Sequence, residues 1–235
     1  MPSPVAPVLL KLSGEALKGE EGVFDPVVLQ RVAGELLEGV RGGRRVALVV
    51  GGGNIVRGRD IAAVVATRTR GDYMGMLATL INSLALREAI ESAGGTCEVV
   101  APHAVPNVAV AYDRTQVLRW LAEGVIVIFG GGTGHPFFTT DTTAALRAAE
   151  IDASELLKGS NVDGIYTADP GRDPDAQRID HLSFDEAVDS AYGVMDQAAF
   201  SLCRDRGVRI RVFDMTRQGA IRAALGDNPP GTTVG

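Results

Sequence analysis

The sequence predicts an α/β fold: a three-layer α/β/α sandwich with a mostly parallel central sheet. Two observations lead to this prediction. Short, continuously apolar runs, which suit strands buried on both faces, alternate along the chain with amphipathic segments that suit helices. About 46% of the 235 residues are apolar, which is enough to fill the core of such a domain.

Six apolar runs predict the strands. They lie at 8–12, 45–50, 97–101, 125–129, 155–158 and 208–213. A short helical pattern at 13–17 follows the first run, and glycine-rich stretches follow the second and the fourth. This alternation favours parallel strands joined by helical crossovers.

The first long helix is predicted at 26–40. Asp25 can cap its first turn, Pro26 suits the first helical position, and two glycines at 42–43 close the segment. Its acidic residues Glu35 and Glu38, like Glu20 and Glu21 before it, are interpreted as a solvated face.

Three further helices are predicted from capping residues and apolar spacing. One opens at Asp72 or its neighbours and runs to the glycines at 94–95, one is capped by Asp113, and one, at 142–150, is capped by Asp141. The first of them carries an apolar stripe that we interpret as core or subunit contact: Met74, Met76, Leu77, Leu80 and Ile81.

Residues 163–182 do not follow the alternation of strands and helices. They combine turn formers, prolines and acids, which predicts a long ordered loop, and such loops are often functional. No linker divides the chain, so we expect one domain over 1–235 with lobes at about 1–150 and 151–235.

Composition excludes several classes of protein. The longest apolar runs are near five residues, far below the roughly 20 of a membrane-spanning helix, and the amino terminus does not read as a secretory signal. A cytoplasmic location is expected. The net charge of −6 and the lack of a basic cluster argue against nucleic acid as the primary ligand. Cys97 and Cys203 are expected to be small buried side chains, and no motif predicts a metal held by protein ligands.

Glycine is concentrated at three junctions where a predicted strand ends. Their sequences are LLKLSGEAL (9–17), LVVGGGNIVRG (48–58) and IVIFGGGTGHPFFTTD (126–141). Glycines at the carboxyl end of a sheet let backbone N–H groups approach phosphates, and a following helix adds partial positive charge. Any one junction could be only a tight turn, but three together predict a site for several phosphate groups.

The usual phosphate motifs do not account for these junctions. The Walker A pattern is absent, and Val56 and His135 break GxGxxG at the two glycine triplets. A kinase-type site also needs cations against the moving phosphoryl group. Lys11, one of three lysines in the chain, stands at the end of the first strand, and Arg57 follows the first glycine triplet.

Several long motifs resemble those of the bacterial uridylate (UMP) kinases of the amino acid kinase superfamily. In chain order they are KLSGEAL, GGGNIVRG, GDYMGMLATLINSLAL, GGTGHPFFTTDTTAALRAAE, VDGIYTADP, VMDQAAF and RIRVFDMT. The resemblance covers essentially the whole chain. It implies an amino acid kinase-like fold and transfer of the γ-phosphoryl group of ATP to UMP, in pyrimidine nucleotide biosynthesis, with Mg²⁺ bound mainly through nucleotide phosphates.

The resemblance also implies the site residues. The acceptor side, in the first lobe, would comprise Gly52, Asp72, Thr133, Gly134, His135, Pro136, Phe137, Phe138, Thr139 and Thr140. The ATP side would comprise Lys11, Leu12, Ser13, Gly14, Gly53, Arg57, Ser160, Tyr166 and Asp169. The second lobe would carry the adenosine end.

Four residues are predicted to be catalytic: Lys11, Arg57, Asp141 and Asp196. The acceptor phosphate is largely dianionic at pH 7, so positioning and positive charge matter more than a general base. Our hypothesis is that Asp141 orients Lys11 or a water on the magnesium, and that Asp196 holds Lys11 from behind.

Several alternatives stay open at this point. Asp72 and Asp141 could be helix caps only, and Phe137 and Phe138 could anchor their loop in the core instead of contacting a base. The chain departs from the family pattern at His135, usually Asn, and at Asn161, often Lys.

Two broader alternatives to a UMP-specific enzyme also remain. The chain could phosphorylate a carboxylate or carbamate, or sense nucleotides without catalysis. The family resemblance further implies a homohexamer activated by GTP and inhibited by UTP, with residues 18–25 and the 70–90 helix as candidate interface.

Overall fold

The structure is a computed structural model that describes residues 5–19, 22–56, 66–189 and 195–235. Its strands are β1 (Val8–Leu12), β2 (Val46–Val50), β3 (Cys97–Ala101), β4 (Val110–Ala111), β5 (Ile126–Phe129), β6 (Glu155–Ser160), β7 (Ile165–Tyr166), β8 (Arg178–Ile179), β9 (His181–Leu182), β10 (Arg209–Asp214) and β11 (Thr232–Val234). Its helices are α1 (Pro26–Arg41), α2 (Arg68–Ser92), α3 (Arg114–Ala122), α4 (Thr140–Glu150), α5 (Phe184–Asp189), α6 (Gln197–Arg206) and α7 (Ala220–Ala224), with a 3₁₀ turn at Gly14–Leu17.

Nine of these strands form one sheet in the order β4-β3-β5-β2-β1-β6-β10-β11-β9. Every neighbouring pair is parallel except β10 and β11. All six predicted strands are present, with ends shifted by at most two residues. The mostly parallel sheet is therefore confirmed.

Helices cover both faces of this sheet. Along β1, Leu10 packs with α1, α2 and α7, whereas Leu9 points to the opposite face and packs with α3, α4 and α6. Successive side chains of a strand alternate between faces, which is why one apolar run serves two cores. The two cores on either side of the sheet confirm the three-layer prediction.

Of the four predicted helix caps, the structure confirms two, Asp25 and Asp113, and shows two to be wrong, Asp72 and Asp141. The carboxylate of Asp25 accepts from the N–H of Val27 at 2.8 Å, and that of Asp113 accepts from Gln116 N–H at 2.8 Å. Helix α2, however, begins at Arg68, so Asp72 lies in its second turn. Helix α4 is capped by the hydroxyl of Thr139, and Asp141 lies in its first turn.

The segment 163–182 was predicted to be a loop and in part is not. It carries the antiparallel pair β7–β8 and the strand β9, which joins the main sheet beside β11. Turn-rich composition hides such two-residue strands, because the pairing partner that makes them strands is distant in sequence.

The two cysteines are free and buried, as predicted. Burial raises the pKa of both thiols, Cys97 and Cys203, to about 12, so neither is a reactive thiolate at neutral pH. Within the described part of the chain, no helix has the length and apolar character needed to cross a bilayer.

Candidate active site

The three glycine junctions meet at one edge of the sheet. Strands β1, β2 and β5 are parallel neighbours, so their carboxyl ends lie side by side. The N–H of Gly51 donates to the carbonyl of Leu12 at 2.9 Å. A side-chain carbon at Gly14 would overlap the carbonyl oxygen of Gly51, so only glycine allows the first two junctions to touch.

A carboxylate between two ammonium groups stands at this edge. Asp141 Oδ1 lies 3.0 Å from Lys11 Nζ, and Asp141 Oδ2 accepts from Lys158 Nζ at 2.5 Å. Lys11 and Lys158 are register partners on the adjacent strands β1 and β6, which places their side chains next to each other. The three side chains are 9–15% exposed. The cluster therefore holds one net positive charge in a partly desolvated position.

The surroundings shift the pKa values of two of these side chains, Asp141 and Lys158. Burial by itself raises the pKa of the Asp141 carboxyl, but the adjacent Lys11 and Lys158 outweigh it, and the pKa lies below its ordinary value. Burial lowers the pKa of Lys158, and the attraction of Asp141 opposes this only in part. At neutral pH Asp141 is ionised; it accepts a hydrogen bond from Lys158 and forms an ion pair with Lys11.

The sequence prediction missed Lys158. Its signal was present: it is one of only three lysines and it ends a predicted strand, directly after two leucines. A lysine in such a strand needs a buried partner, which could have marked it as a candidate. The partner itself, Asp141, lies in α4 and is brought to Lys158 only by the packing of that helix against the sheet.

Asp196 does not hold Lys11, contrary to our prediction. One of its carboxylate oxygens accepts from the hydroxyls of Thr139 and Thr142, the latter at 2.9 Å, and the other caps α6 by accepting from Ala199 N–H at 2.8 Å. Asp196 thus ties the start of α4 to the start of α6. The negative charge of Asp196 also opposes, to a small extent, the lowering of the Lys158 pKa, so Asp196 acts on the cluster from a distance.

A cavity of about 800 Å³ opens between the second junction, the third junction and α2. Seven of the ten predicted acceptor residues line it: Gly52, Asp72, Thr133, His135, Phe138, Thr139 and Thr140. Gly134, Pro136 and Phe137 belong to the same loop but do not line the cavity. Gly53, predicted for ATP, lines it as well, as do Arg68, Met76 and Thr79, which the sequence prediction did not include.

The third junction is shaped by Asp72 and by strained backbone. Asp72 Oδ2 accepts from the N–H of Phe137 at 2.7 Å, and Phe137 has a φ of +74°, which non-glycine residues rarely adopt. Phe137 and Phe138 are 58% and 55% exposed, so their interpretation as core anchors is wrong. His135 is also exposed and lines the cavity.

The three residues predicted for the adenosine end lie at the end of β6, in β7 and in the loop between β7 and β8: Ser160, Tyr166 and Asp169. Ser160 ends β6, and Tyr166 donates its hydroxyl hydrogen to Asp163 at 2.6 Å. The carboxylate of Asp169 accepts from Gly171 N–H at 2.9 Å. Asn161 is exposed beside Ser160. Leu12 is fully buried as a whole residue, and its carbonyl accepts from Gly51 N–H, so the structure does not expose it to a nucleotide.

Ser13 precedes the 3₁₀ turn in extended conformation, between Lys11 and Gly14 at the first junction. Arg57, together with Glu20 and Glu21, lies outside the described residues. Over the described ranges, no three side chains of His, Cys, Asp or Glu form a group that could hold a metal ion.

Comparison with known proteins gives a consistent result. Residues 6–214 match the amino acid kinase family. A uridylate kinase of Pseudomonas syringae pv. syringae is 49% identical over 97% of this chain and 93% of its own length. The corresponding protein of Bradyrhizobium diazoefficiens is 47% identical over 97% of this chain and 96% of its own length.

Solved structures agree with the sequence relatives. The UMP kinase of Bacillus anthracis superposes with a TM-score of 0.93 at 36% identity, over 98% of this chain and 96% of that one. The UMP kinase of Ureaplasma parvum gives 0.92 at 32% identity, over 98% of both chains. This chain belongs to the amino acid kinase family, within its group of uridylate kinases.

Proposed function

We propose that this protein is a nucleoside monophosphate kinase that transfers the γ-phosphoryl group of ATP directly to UMP, giving UDP and ADP. The observation that carries the proposal is the Lys11–Asp141–Lys158 cluster beside the glycine-lined cavity. Thr140 and Thr143, on either side of Asp141 in α4, line the cavity wall. The reaction centre would lie where the cluster and the cavity meet.

The Lys11–Asp141–Lys158 cluster suits a phosphoryl transfer between two polyanions, ATP and UMP. The acceptor phosphate has a second pKa near 6, so it is a nucleophile at pH 7 without a general base. The remaining barrier is bringing negative charges together in line, and two ammonium groups with a fixed carboxylate between them supply oriented positive charge. The amino end of α4 adds partial positive charge at the same place.

The proposed division of the site follows the strands. The cavity between α2 and the third junction takes UMP, with Asp72 beside the ribose and the loop 133–140 around the phosphate. The ATP phosphates lie over Lys11, Ser13 and Gly14, with Gly53 and Arg57, and the adenosine lies toward Ser160, Tyr166 and Asp169. The two lobes, at about 1–150 and 151–235, would then carry the acceptor and the donor.

Magnesium would be held by the nucleotides. Asp141 and Asp196 do not form a cage for it: both oxygens of Asp141 face ammonium groups, and those of Asp196 accept from Thr139, Thr142 and Ala199. Phosphate oxygens are the ligands that Mg²⁺ usually takes in such sites. When bound, the ion offsets phosphate charge.

Assembly is proposed from the outer face of α2. Tyr73, Leu77, Ile81 and Leu84 are 49%, 59%, 47% and 38% exposed, at the spacing of one helix face. Exposed apolar patches of this kind mark contact surfaces, and a symmetric homo-oligomer would cover this one. We propose a homohexamer with GTP as activator and UTP as inhibitor, as the family resemblance implies. A cytoplasmic role in pyrimidine nucleotide biosynthesis accords with these substrates.

An acceptor screen tests the proposed function. Purified protein with Mg·ATP is offered UMP, CMP, carbamate or N-acetylglutamate, and ADP release is followed by a coupled assay, with GTP or UTP added in parallel series. Turnover is expected with UMP far above the other acceptors. Turnover only with carbamate or N-acetylglutamate, or UMP binding without turnover, would contradict the proposal.

A further inference from the structure

The inner face of α2 carries buried polar side chains that the proposed reaction has not yet used. Thr79 is 3% exposed, and Asn82 and Ser83 are fully buried. Buried polar groups destabilise a fold unless they are hydrogen-bonded, so their partners indicate what they do. Two of the three bond outside their own helix, to the glycine junctions.

Asn82 holds the second junction. Its side-chain N–H donates to the carbonyl of Gly51 at 2.6 Å and to Asn54 Oδ1 at 2.7 Å. Asn54 in turn donates to the carbonyl of Val23 at 2.8 Å. Since a side-chain carbon at Gly14 would collide with the Gly51 carbonyl and the Asn54 side chain, this pair of amides also sets how closely the second junction meets the first.

Thr79 holds the third junction. Its hydroxyl accepts from the N–H of Gly131 at 2.8 Å and donates to the carbonyl of Met76 one turn earlier at 2.7 Å. Gly131 has a φ of +77°, so this loop begins in a conformation that needs glycine. At the second junction, Gly52 packs against the α2 backbone so closely that a side-chain carbon would collide with the Gly75 carbonyl.

We infer that Thr79 and Asn82 are positioning residues for phosphoryl transfer, which hold the second and third glycine junctions at a set distance from each other along one helix. The inference rests on the proposed function. Glycine loops have no side chains with which to fix themselves, and their backbone groups must be aligned before reaction to lower the barrier. Helix α2 thus serves as the rigid support on which the loops around both nucleotides are aligned.

Paired substitutions separate positioning from stability. Thr79→Val keeps the shape but removes the acceptor for Gly131 N–H, and Asn82→Leu removes the donor to Gly51. Each is expected to lower kcat by about 10- to 100-fold at saturating ATP and UMP, the loss that a displacement near 1 Å can cause. Thr79→Ser restores the hydroxyl and is expected to recover most of this loss.

Ser83→Ala is the matched control. Ser83 is buried on the same helix, but its hydroxyl donates to the Thr79 carbonyl, within α2. Its removal should lower the melting temperature by an amount similar to Thr79→Val while kcat stays near the wild-type value. If Asn82→Leu does not fold, Asn54→Ala breaks the same amide pair from the half-buried loop side and should lower kcat in the same direction.

The outcomes distinguish a failure of the positioning inference from a failure of the proposed kinase function. Equal kcat in the wild type, Thr79→Val and Asn82→Leu (or Asn54→Ala) would overturn the inference and leave the proposed function standing. The inference would also be overturned if Thr79→Ser did not recover the kcat that Thr79→Val loses. It would likewise be overturned if Ser83→Ala lowered kcat as much as Thr79→Val and Asn82→Leu do. A wild-type protein without UMP turnover would instead refute the proposed function.

Discussion

At the scale of single residues, the chemistry depends on how one carboxylate organises two like charges. Lys11 and Lys158 are adjacent on neighbouring strands and would repel each other without Asp141 between them. Asp141 belongs to a helix, α4, and not to either strand. The helix therefore sets the positions of both ammonium groups, and a change at Asp141 affects both at once.

Asp141→Asn is expected to lower kcat by about 100-fold or more, because a neutral amide does not offset the repulsion of two ammonium groups and accepts more weakly from Lys158. Steady-state kinetics at saturating ATP and UMP measures it. Asp185→Asn is the control: Asp185 also lies in the first turn of a helix and pairs with an arginine, Arg204, but at an exposed site. Near-wild-type kcat in Asp141→Asn would contradict the role given to the cluster.

The lowered pKa of Lys158 predicts a pH dependence. Burial disfavours its charged form, so Lys158 loses its proton below the ordinary lysine value of about 10.4. As the pH rises through this lowered pKa, Lys158 is deprotonated and the cluster loses positive charge. The value of kcat/KM for ATP, which reports on the free enzyme, should then fall. Asp141, with its pKa lowered, stays ionised at neutral and mildly acidic pH and adds no acid limb there.

Lys158→Arg checks the assignment, since arginine keeps its charge throughout this range. Relative to its own maximum, the variant should lose the alkaline limb or shift it to higher pH. An unchanged limb would assign the titration to another group.

At the scale of elements, α7 shows how a helix can depend on a distant one. With five residues it is too short to be stable alone, and it begins at Gly219 without a side-chain cap of its own. Glu35 of α1 supplies the acceptors: its carboxylate receives the N–H groups of Gly219 and Ile221, both at 2.8 Å. Our interpretation of Glu35 as part of a solvated face was therefore wrong.

Glu35→Ala is expected to lower the free energy of unfolding by about 1–3 kcal/mol, since it leaves buried N–H groups of α7 without acceptors. Denaturant unfolding measures the loss. Glu38→Ala, one turn further along α1, removes only an exposed pair with Arg222 and should cost at most about 1 kcal/mol. Equal losses in the two variants would contradict the capping role.

At the scale of the whole molecule, α2 has two faces with different tasks. Thr79 and Asn82 face the glycine junctions, while Leu77 and Ile81 face outward. Our interpretation of the Met74–Ile81 stripe as core or subunit contact therefore divides by residue. Leu80 is core, whereas Met74, Leu77 and Ile81 are exposed and suited to a subunit contact. Met76 is half-buried and lines the cavity, which the interpretation did not expect.

Ile81→Glu places a charge in the centre of that outer face and is expected to dissociate the proposed assembly. Sedimentation velocity or light scattering should show a smaller particle than the wild type. Val27→Glu introduces the same charge at a 73% exposed position in the first turn of α1 and should leave the mass unchanged. If the two variants assemble like the wild type, the contact surface lies elsewhere.

Local patterns predicted most of the architecture. The six main strands and the caps Asp25 and Asp113 follow from apolar runs and from residues within one helical turn of each other. Asp72 and Asp141 resemble caps for the same local reason, but their carboxylates are used by Phe137 and by the two lysines. Tertiary partners outweighed local preference at the functional positions, where such conflicts are expected.

The sequence by itself determined the alternation of strands and helices, the three glycine junctions and the motifs that resemble uridylate kinases, because each is written in consecutive residues. Only the tertiary structure decided that Lys158 lies beside Lys11, that Glu35 caps α7, and that Thr79 and Asn82 support the glycine loops. Lys11 and Lys158 come together through the pairing of β1 with β6, two strands that are far apart in the chain. Such pairings depend on packing across the entire sheet and leave no local pattern in the sequence.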